Sequence, residues 1–336
     1  MTVQAHDSVI RTGAAIGAIS PRRQIAVAGK DRASYLQGLL TNDIEALTQG
    51  RGCYAAWLTP QGRMLTDMHV LESGSMILLD VPADAIDATL ARLDQFIFTE
   101  DVRVESLAES LSGVWLHGPL AGEVIAGALH VGGVVTLAEW ANYQLAPFEF
   151  DGHPVTVVRI DQIGVPGYCV YVERPHEPVL LTALEKAGAL VVLPAALEAA
   201  RIEAGYPVFG IDMTDDTIPL EAGIEDRAIS MSKGCYVGQE IIARVLHRGH
   251  GRVVRKLVGL RIEGVHDDAP LRGARVHVGD RDVGSVTSAA ISPRLGVIAL
   301  GYVHRDFANV GARIDVDTPT GRAAAIVTER LIPSTP

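Results

Sequence analysis

The sequence predicts an α+β or mixed α/β core over residues 1–249 and a small β barrel or sandwich over 250–336. Three observations carry this. The chain has 336 residues, about twice the usual single-domain length, so more than one compact unit is expected. Strand-like and helix-like segments alternate through the first part of the chain. After Arg248-Gly249-His250-Gly251 that alternation gives way to short strand-like runs separated by turn residues.

The elements follow in order. Residues 24–28 read as a strand, and Asp31 opens a helix with Tyr35, Leu36, Leu39 and Leu40 at helical spacing. Cys53–Leu58 and Met64–Leu71 are strand-like runs flanking Thr59-Pro60-Gln61-Gly62, whose proline and glycine suit a tight turn, so a hairpin is expected. A strand over 75–81 leads to a helix over 83–96 with Ile86, Leu90 and Leu93 on one face. Strands are expected at 113–116, 155–160 and 167–172, and a helix at 178–187. Pro194 suits a first helical turn, and Gly205 with Pro207 stops the helix over 195–204 that carries Arg201 and Glu203. The tail offers strands at 253–262, 274–278, 284–291, 296–302 and 323–332. No internal repeat interrupts this order.

Composition narrows the function. Hydrophobic residues are 48% and charged ones 21%, ordinary globular usage that argues against a mainly disordered chain. The net charge, 29 − 40 = −11, repels phosphate backbones, and the arginines are scattered, so no direct nucleic-acid contact is expected. No window approaches the ~18 apolar residues of a membrane span, and Met1–Ser20 has no basic start to an apolar stretch. Cytoplasmic location and no membrane partner are the expectation. Cys53, Cys169 and Cys235 make neither a disulfide framework nor a closed metal site, which fits a reducing compartment. The histidines show no metal-ligand spacing and read as surface or core residues. P-loop, GxGxxG, HExxH, GxSxG and CxxC signatures are absent.

The informative stretch is Lys233-Gly234-Cys235-Tyr236-Val237-Gly238-Gln239-Glu240, followed by Ile241, Ile242, Arg244 and Val245 at helical spacing. A thiol just before a helix, beside a lysine, is placed for a lowered pKa. A lone cysteine also fits a small buried hydrophobe. Asp212, Asp215, Asp216, Glu225 and Asp226 form an acidic run that reads as a solvated loop.

The octet KGCYVGQE closely resembles the signature of the YgfZ family, a branch of the glycine-cleavage T-protein superfamily. Other blocks agree in order: Gly29-Lys30-Asp31 with Tyr35-Leu36-Gln37-Gly38 and Thr41-Asn42-Asp43; Leu58-Thr59-Pro60-Gln61-Gly62-Arg63 with Asp67; Arg201-Ile202-Glu203-Ala204-Gly205-Tyr206-Pro207; Gly210-Ile211-Asp212; and Pro219-Leu220-Glu221-Ala222-Gly223. The octet is the specific part, and the other blocks are shared with T-protein. The resemblance implies a T-protein (GcvT)-like α+β fold: two intertwined subdomains, discontinuous in sequence, around a central opening, with a C-terminal β-barrel domain. It implies a monomeric, tetrahydrofolate-binding accessory protein (the folate, or a one-carbon derivative of it, as cofactor) in iron–sulfur cluster assembly or repair. Iron–sulfur client or assembly proteins would be its partners, and the family's link to tRNA modification would run through iron–sulfur enzymes.

The same resemblance assigns residues. Cys235 would be the functional thiol with Lys233 beside it, and Glu203 would hold the pterin, since a carboxylate accepts paired N–H donors. Glu221, Tyr236, Arg227 and Arg244 would be further folate contacts, the cations suiting the carboxylates of the folate tail. T-protein carries two adjacent acids where this chain has Thr66-Asp67. The half-missing pair favours the accessory role over the alternative, a folate-dependent aminomethyltransferase or methyltransferase using Asp67. One thiol cannot supply the usual four-cysteine ligation of a stored cluster.

Overall fold

The computed structural model describes residues 2–131, 136–247, 252–264 and 268–329. In chain order the elements are α1 (Val3–Thr12), β1 (Ala15–Ile16), β2 (Arg22–Ala28), α2 (Arg32–Leu39), β3 (Arg51–Leu58), β4 (Met64–Glu72), β5 (Met76–Pro82), α3 (Ile86–Gln95), β6 (Arg103–Ser106), β7 (Leu111–His117), α4 (Ala121–Ala128), β8 (Leu145–Phe150), β9 (His153–Arg159), β10 (Gly167–Glu173), α5 (Glu177–Lys186) and β11 (Leu190–Val191). They continue as α6 (Pro194–Ala204), α7 (Pro219–Ala222), α8 (Glu225–Ala228), α9 (Gln239–His247), β12 (Arg255–Ile262), β13 (Arg275–Val278), β14 (Arg281–Ser292), β15 (Gly296–His304), β16 (Arg313–Thr318) and β17 (Gly321–Thr328). The segment Arg248–Gly251, at the expected domain boundary, lies outside the described residues, as do residues 330–332 of the last expected strand.

Two sheets form the core. One runs β3-β4-β5-β2-β6 and the other β11-β1-β7-β10-β9-β8. Because β1 precedes β2 yet pairs with β7 and β11, the two α+β units interleave along the chain. Helices α2 and α3 cover one face of the first sheet, burying Leu36, Leu39 and Leu93 against Ile25, Val70 and Leu79. Helices α4 and α5 do the same for the second, with Ile125 and Leu184 against Val157 and Val170. The other faces share one core in which Tyr54, Met64 and Leu71 meet Trp115, Val158 and Tyr171.

The β3–β4 hairpin is built on the predicted turn. Thr59 N–H donates to Arg63 O (2.8 Å), Gly62 N–H donates to Thr59 O (2.8 Å), and Gly62 takes φ 75°, which glycine adopts without penalty. A bulge between Trp57 and Leu58 shifts the register, so Met64 joins Leu71 on the face shared between the sheets. Helix α6 has Pro194 at its start and Gly205 at φ 72° as its left-handed cap, with the Gly205 N–H returning to Ile202 O (3.0 Å). It packs on α1 through Leu197 and Ile10.

The β-rich tail closes into a six-stranded barrel, β12-β15-β14-β13-β16-β17, filled by Leu260, Val286, Val303, Val316 and Ala325. The chain is therefore an α+β protein with a C-terminal closed barrel. Ile202 of α6 docks on the barrel wall at Leu257, Ile298, Leu300 and Tyr302. Among the described residues no helix is long and apolar enough to cross a membrane.

One buried residue makes the fold acid-sensitive. His117, at the end of β7, stacks on Trp115 (centroids 6.3 Å apart), and burial pushes its pKa down to about 4. The unfolded chain takes up that proton near pH 6.5, while the folded chain refuses it until about 4. Stability is therefore lost as pH falls through this window, by about 3 kcal/mol in all. Urea unfolding at pH 7 and pH 4.5 should show His117→Gln losing less stability than wild type over that interval. Equal losses would contradict the assignment.

Candidate active site

The first sheet carries a run of polar side chains on the face that meets the second sheet. Along β4, Asp67 and His69 stand two residues apart on that face, in a strand otherwise rich in apolar residues. Gln24 of β2 and His69 both pair in register with Asp80 of β5. Arg22 stands two residues before Gln24 and reaches across: its Nε donates to Asp80 Oδ2 (2.7 Å) and its Nη1 to Asp67 Oδ1 (3.2 Å). Gln24 Nε2 donates to Asp80 Oδ1 (2.8 Å), and His69 Nδ1 lies 2.9 Å from Asp80 Oδ2.

The electrostatics of this cluster are coupled. Burial would raise Asp80, but Arg22, His69 and Gln24 together hold it below the usual carboxylate range. Burial and then the Arg22 charge push His69 down, so it remains a neutral ring. Burial disfavours a charged Arg22, yet Asp67 and Asp80 keep it firmly protonated. Tyr54 is raised well above its ordinary value by burial and by Asp67, so its hydroxyl is a donor, and it gives Asp67 Oδ2 a 2.7 Å hydrogen bond. Asp67 is thus oriented from both sides, by a guanidinium and by a phenol.

Arg227 of α8 completes the site. Its guanidinium carbon lies 4.4 Å from the Tyr54 ring centroid and 4.2 Å from that of Tyr206, which follows the Gly205 cap of α6. It is buried, and its Nε and Nη2 have no hydrogen-bond partner. Burial opposes its charge, while the neighbouring tyrosines Tyr206, Tyr54 and Tyr143 offset that. Unpartnered guanidinium nitrogens of this kind are costly unless a ligand uses them. One residue, Tyr54, links the two halves, with its ring under Arg227 and its hydroxyl on Asp67.

A model of the GCVT N-terminal domain family matches residues 2–233, and one of the glycine cleavage T-protein C-terminal barrel domain matches residues 255–332. The chain belongs to the glycine cleavage T-protein family. A Bacillus subtilis T-protein relative named aminomethyltransferase is 29% identical over 322 residues, covering 94% of this chain and 86% of its own length. One of the same name from Rubrobacter xylanophilus is 30% identical over 302 residues, covering 90% and 79%. The structure of glycine cleavage system aminomethyltransferase T from Bartonella henselae superposes with a TM-score of 0.85 over 99% of this chain and 90% of that one, at 24% identity, a likeness of fold. These matches show the T-protein family, whereas the YgfZ branch of it rests on the octet.

Within this T-protein fold the other expected site residues are dispersed. Glu203 is not turned toward Asp67 and Arg227: its carboxylate accepts from Arg11 Nη2 (2.8 Å) and from Arg294 and Ser292, tying α6 to α1 and the barrel. It lines a separate cavity of about 140 Å³ with Ile202, Leu260, Leu295 and Ile298. Glu221 of α7 pairs with Arg255 at the start of the barrel (3.1 Å). Arg244 is exposed on α9. The acidic run is not uniformly solvated, because Asp212 is fully buried and paired with Arg201 (2.8 Å).

The octet is laid against the β3–β4 turn. Gly238 has φ 85°, and a Cβ there would come within 2.5 Å of Thr59 O, so only glycine fits this approach. Lys233 does not attend Cys235. Its Nζ donates to the carbonyls of Gln37 (2.7 Å), Leu40 (2.6 Å) and Asn42 (2.8 Å), and burial pushes its pKa down to about 8. The thiol whose charge it influences is Cys53, which burial nonetheless pushes up to about 12. Tyr236 lies buried under the Lys233 ammonium, with 5.2 Å between Nζ and ring centroid. Cys235 is exposed and lies outside α9, which begins at Gln239, so the helix-terminus effect expected of it falls on the residues after the thiol.

Sequence reading missed Arg22, Tyr54, His69, Asp80 and Tyr206. The available signal was polar residues two apart in apolar strands, as in Thr66-Asp67-Met68-His69-Val70.

Proposed function

We propose that this chain binds a reduced folate beside Asp67 and Arg227 and moves its one-carbon unit, as a tetrahydrofolate-dependent aminomethyl- or methyltransferase of the T-protein type. The observation that carries the reading is Arg227, buried between Tyr54 and Tyr206 with two unpartnered nitrogens and joined through Tyr54 to an Asp67 held by Arg22 and the Tyr54 hydroxyl. Arg227 then meets an oxygen of the folate, at the ring rather than at the exposed tail, and the tyrosine rings offer apolar flat surfaces. Transfer of a one-carbon unit between nitrogens breaks the carbon–nitrogen bond to the donor and forms one to the attacking amine, with an electron-poor carbon in between. A fixed carboxylate stabilises that transient positive charge and can pass the proton the attacking amine releases to the leaving nitrogen. The names of the curated relatives, aminomethyltransferase, support this reading.

The test is calorimetric titration of tetrahydrofolate into wild type and Arg227→Leu, with turnover assayed on an aminomethyl donor. Wild type should bind, and Arg227→Leu should bind at least about tenfold more weakly. No binding to wild type at millimolar folate removes the proposal.

A second reading is carried by a different observation, the exposure of Cys235 within an octet docked on the β3–β4 turn. In it the folate-bound chain serves iron–sulfur cluster assembly or repair through that thiol, and affects tRNA modification through iron–sulfur enzymes. Loss of iron–sulfur enzyme activity in cells carrying Cys235→Ser, with folate binding intact, would favour it over transfer at Asp67.

A further inference from the structure

At the end of the second sheet remote from the tyrosine-framed arginine, two histidines and a glutamate converge. Asp151 and Gly152, at φ 52° and 79°, make a two-residue left-handed turn that sets His153 at the first position of β9, paired with Phe150. Glu173 is the last residue of β10, the strand beside β9, and His176 follows in the short turn Arg174–His176, in which Pro175 fixes the backbone. Three ligands of two types, spaced irregularly in sequence, are thus brought together by strand pairing, which is why no spacing signal announced them. The His153 and His176 rings stack with centroids 3.5 Å apart and planes 27° from parallel. His176 Nε2 lies 3.9 Å from Glu173 Oε2, and one ligand atom from each of the three residues falls within 4.8 Å of the others.

We propose that His153, Glu173 and His176 form a three-ligand site for Zn²⁺ or a similar late first-row divalent ion. A tetrahedral ion at about 2.0–2.1 Å from each donor needs donor separations of about 3.3 Å, so the half-buried imidazoles and the exposed glutamate have at most about 1.5 Å to close, by side-chain rotations that unstack the two rings and turn their nitrogens toward one point. Two imidazoles and one carboxylate are donors suited to zinc, and they select against Ca²⁺ and Mg²⁺, which prefer all-oxygen sites. Three protein ligands leave the fourth position of a tetrahedral ion to water or to a ligand from another molecule. The bound ion ties the end of β10 to the start of β9, two interior strands of the second sheet, which makes it a clamp on that end of the sheet rather than a catalytic centre, and its affinity should be roughly micromolar, below that of closed four-ligand sites.

The experiment titrates Zn²⁺ by calorimetry into the full chain, freed of any affinity tag and stripped with a chelator, and repeats it with His153→Ala, His176→Ala, Glu173→Gln and Cys235→Ser. One ion per chain is expected. Each histidine variant should lose at least about tenfold in affinity, Glu173→Gln should lose less, and Cys235→Ser should bind as wild type does. Zinc should also raise the melting temperature of wild type and leave that of His176→Ala unmoved, while the two melt alike without metal. Co²⁺ substitution adds a separate readout: a tetrahedral spectrum without thiolate charge-transfer absorption. Absence of binding below about 100 µM Zn²⁺ overturns the proposal, as does affinity retained in both histidine variants or lost in Cys235→Ser.

Discussion

Arg201→Met will lower the stability of the chain by about 3–5 kcal/mol, one of the largest losses expected of any single substitution here. Arg201 and Asp212 are both fully buried, and their side chains meet at 2.8 Å. The guanidinium also holds Glu198 of its own helix (2.6 and 2.7 Å), the carbonyl of Tyr206 (3.0 Å) and Ser288 Oγ of β14 (2.7 Å). Asp212 in turn accepts from Val208 N–H (3.0 Å), Thr287 Oγ1 (2.6 Å) and Ser288 Oγ (2.7 Å). This one arginine therefore joins α6, the loop after it and the barrel. Removing it leaves a carboxylate in the interior without its cation, and that uncompensated charge supplies most of the cost. Urea unfolding of Arg201→Met, Asp212→Leu and the double variant checks the argument. The double variant should lose clearly less than the sum of the single losses, because it strands no charge. Additive losses, or a single-variant loss under about 1 kcal/mol, would show that the pair is not a unit. Because the Tyr206 carbonyl is one of the Arg201 partners, the variant should also loosen one of the two rings that hold Arg227.

How far the sequence revealed the molecule can be judged from these same residues. The β3–β4 hairpin, α6 with its proline start and glycine stop, and most strands of the tail were legible, because each is specified locally by turn chemistry and periodicity. The sequence reading passed over α1, β6, β8, α4 and β16. Helix α1 is capped by Thr2, which accepts from Ala5 N–H (3.3 Å), but it buries His6 and Asp7 beside Ile10, so its inward face does not read as apolar, and its burial comes from α6. Strand β6 exposes most of its residues, so it lacks an apolar alternation and is held by pairing with β2. The candidate site was legible in part. Asp67 and Arg227 were named, but their partners come from strands distant in sequence, and strand order is not written in any one segment. Glu203 was expected at the ligand, and in the structure its carboxylate pairs with Arg11 and Arg294; a carboxylate at a helix end looks the same in sequence in either setting.

Asp67→Asn will separate binding from chemistry. Asparagine has the shape of aspartate, and Arg22 keeps its shorter contact with Asp80 (2.7 Å), so the cluster should remain folded. The Tyr54 hydroxyl can still donate to an amide oxygen. What disappears is the negative charge beside Arg22 and the Tyr54 hydroxyl, and with it the capacity to take a proton. If the chain transfers a one-carbon unit through this carboxylate, kcat should fall by about 10²–10⁴ while the folate dissociation constant changes by less than about tenfold. Tyr54→Phe should cost less, on the order of tenfold, since it removes one orienting hydrogen bond and leaves the ring under Arg227. The combination of calorimetric Kd and steady-state kcat decides the matter. A variant that binds folate normally and turns over at the wild-type rate excludes Asp67 from the reaction. Folate binding without turnover in wild type would move the chemistry away from this carboxylate, and the exposed thiol of Cys235 would then be the next group to remove.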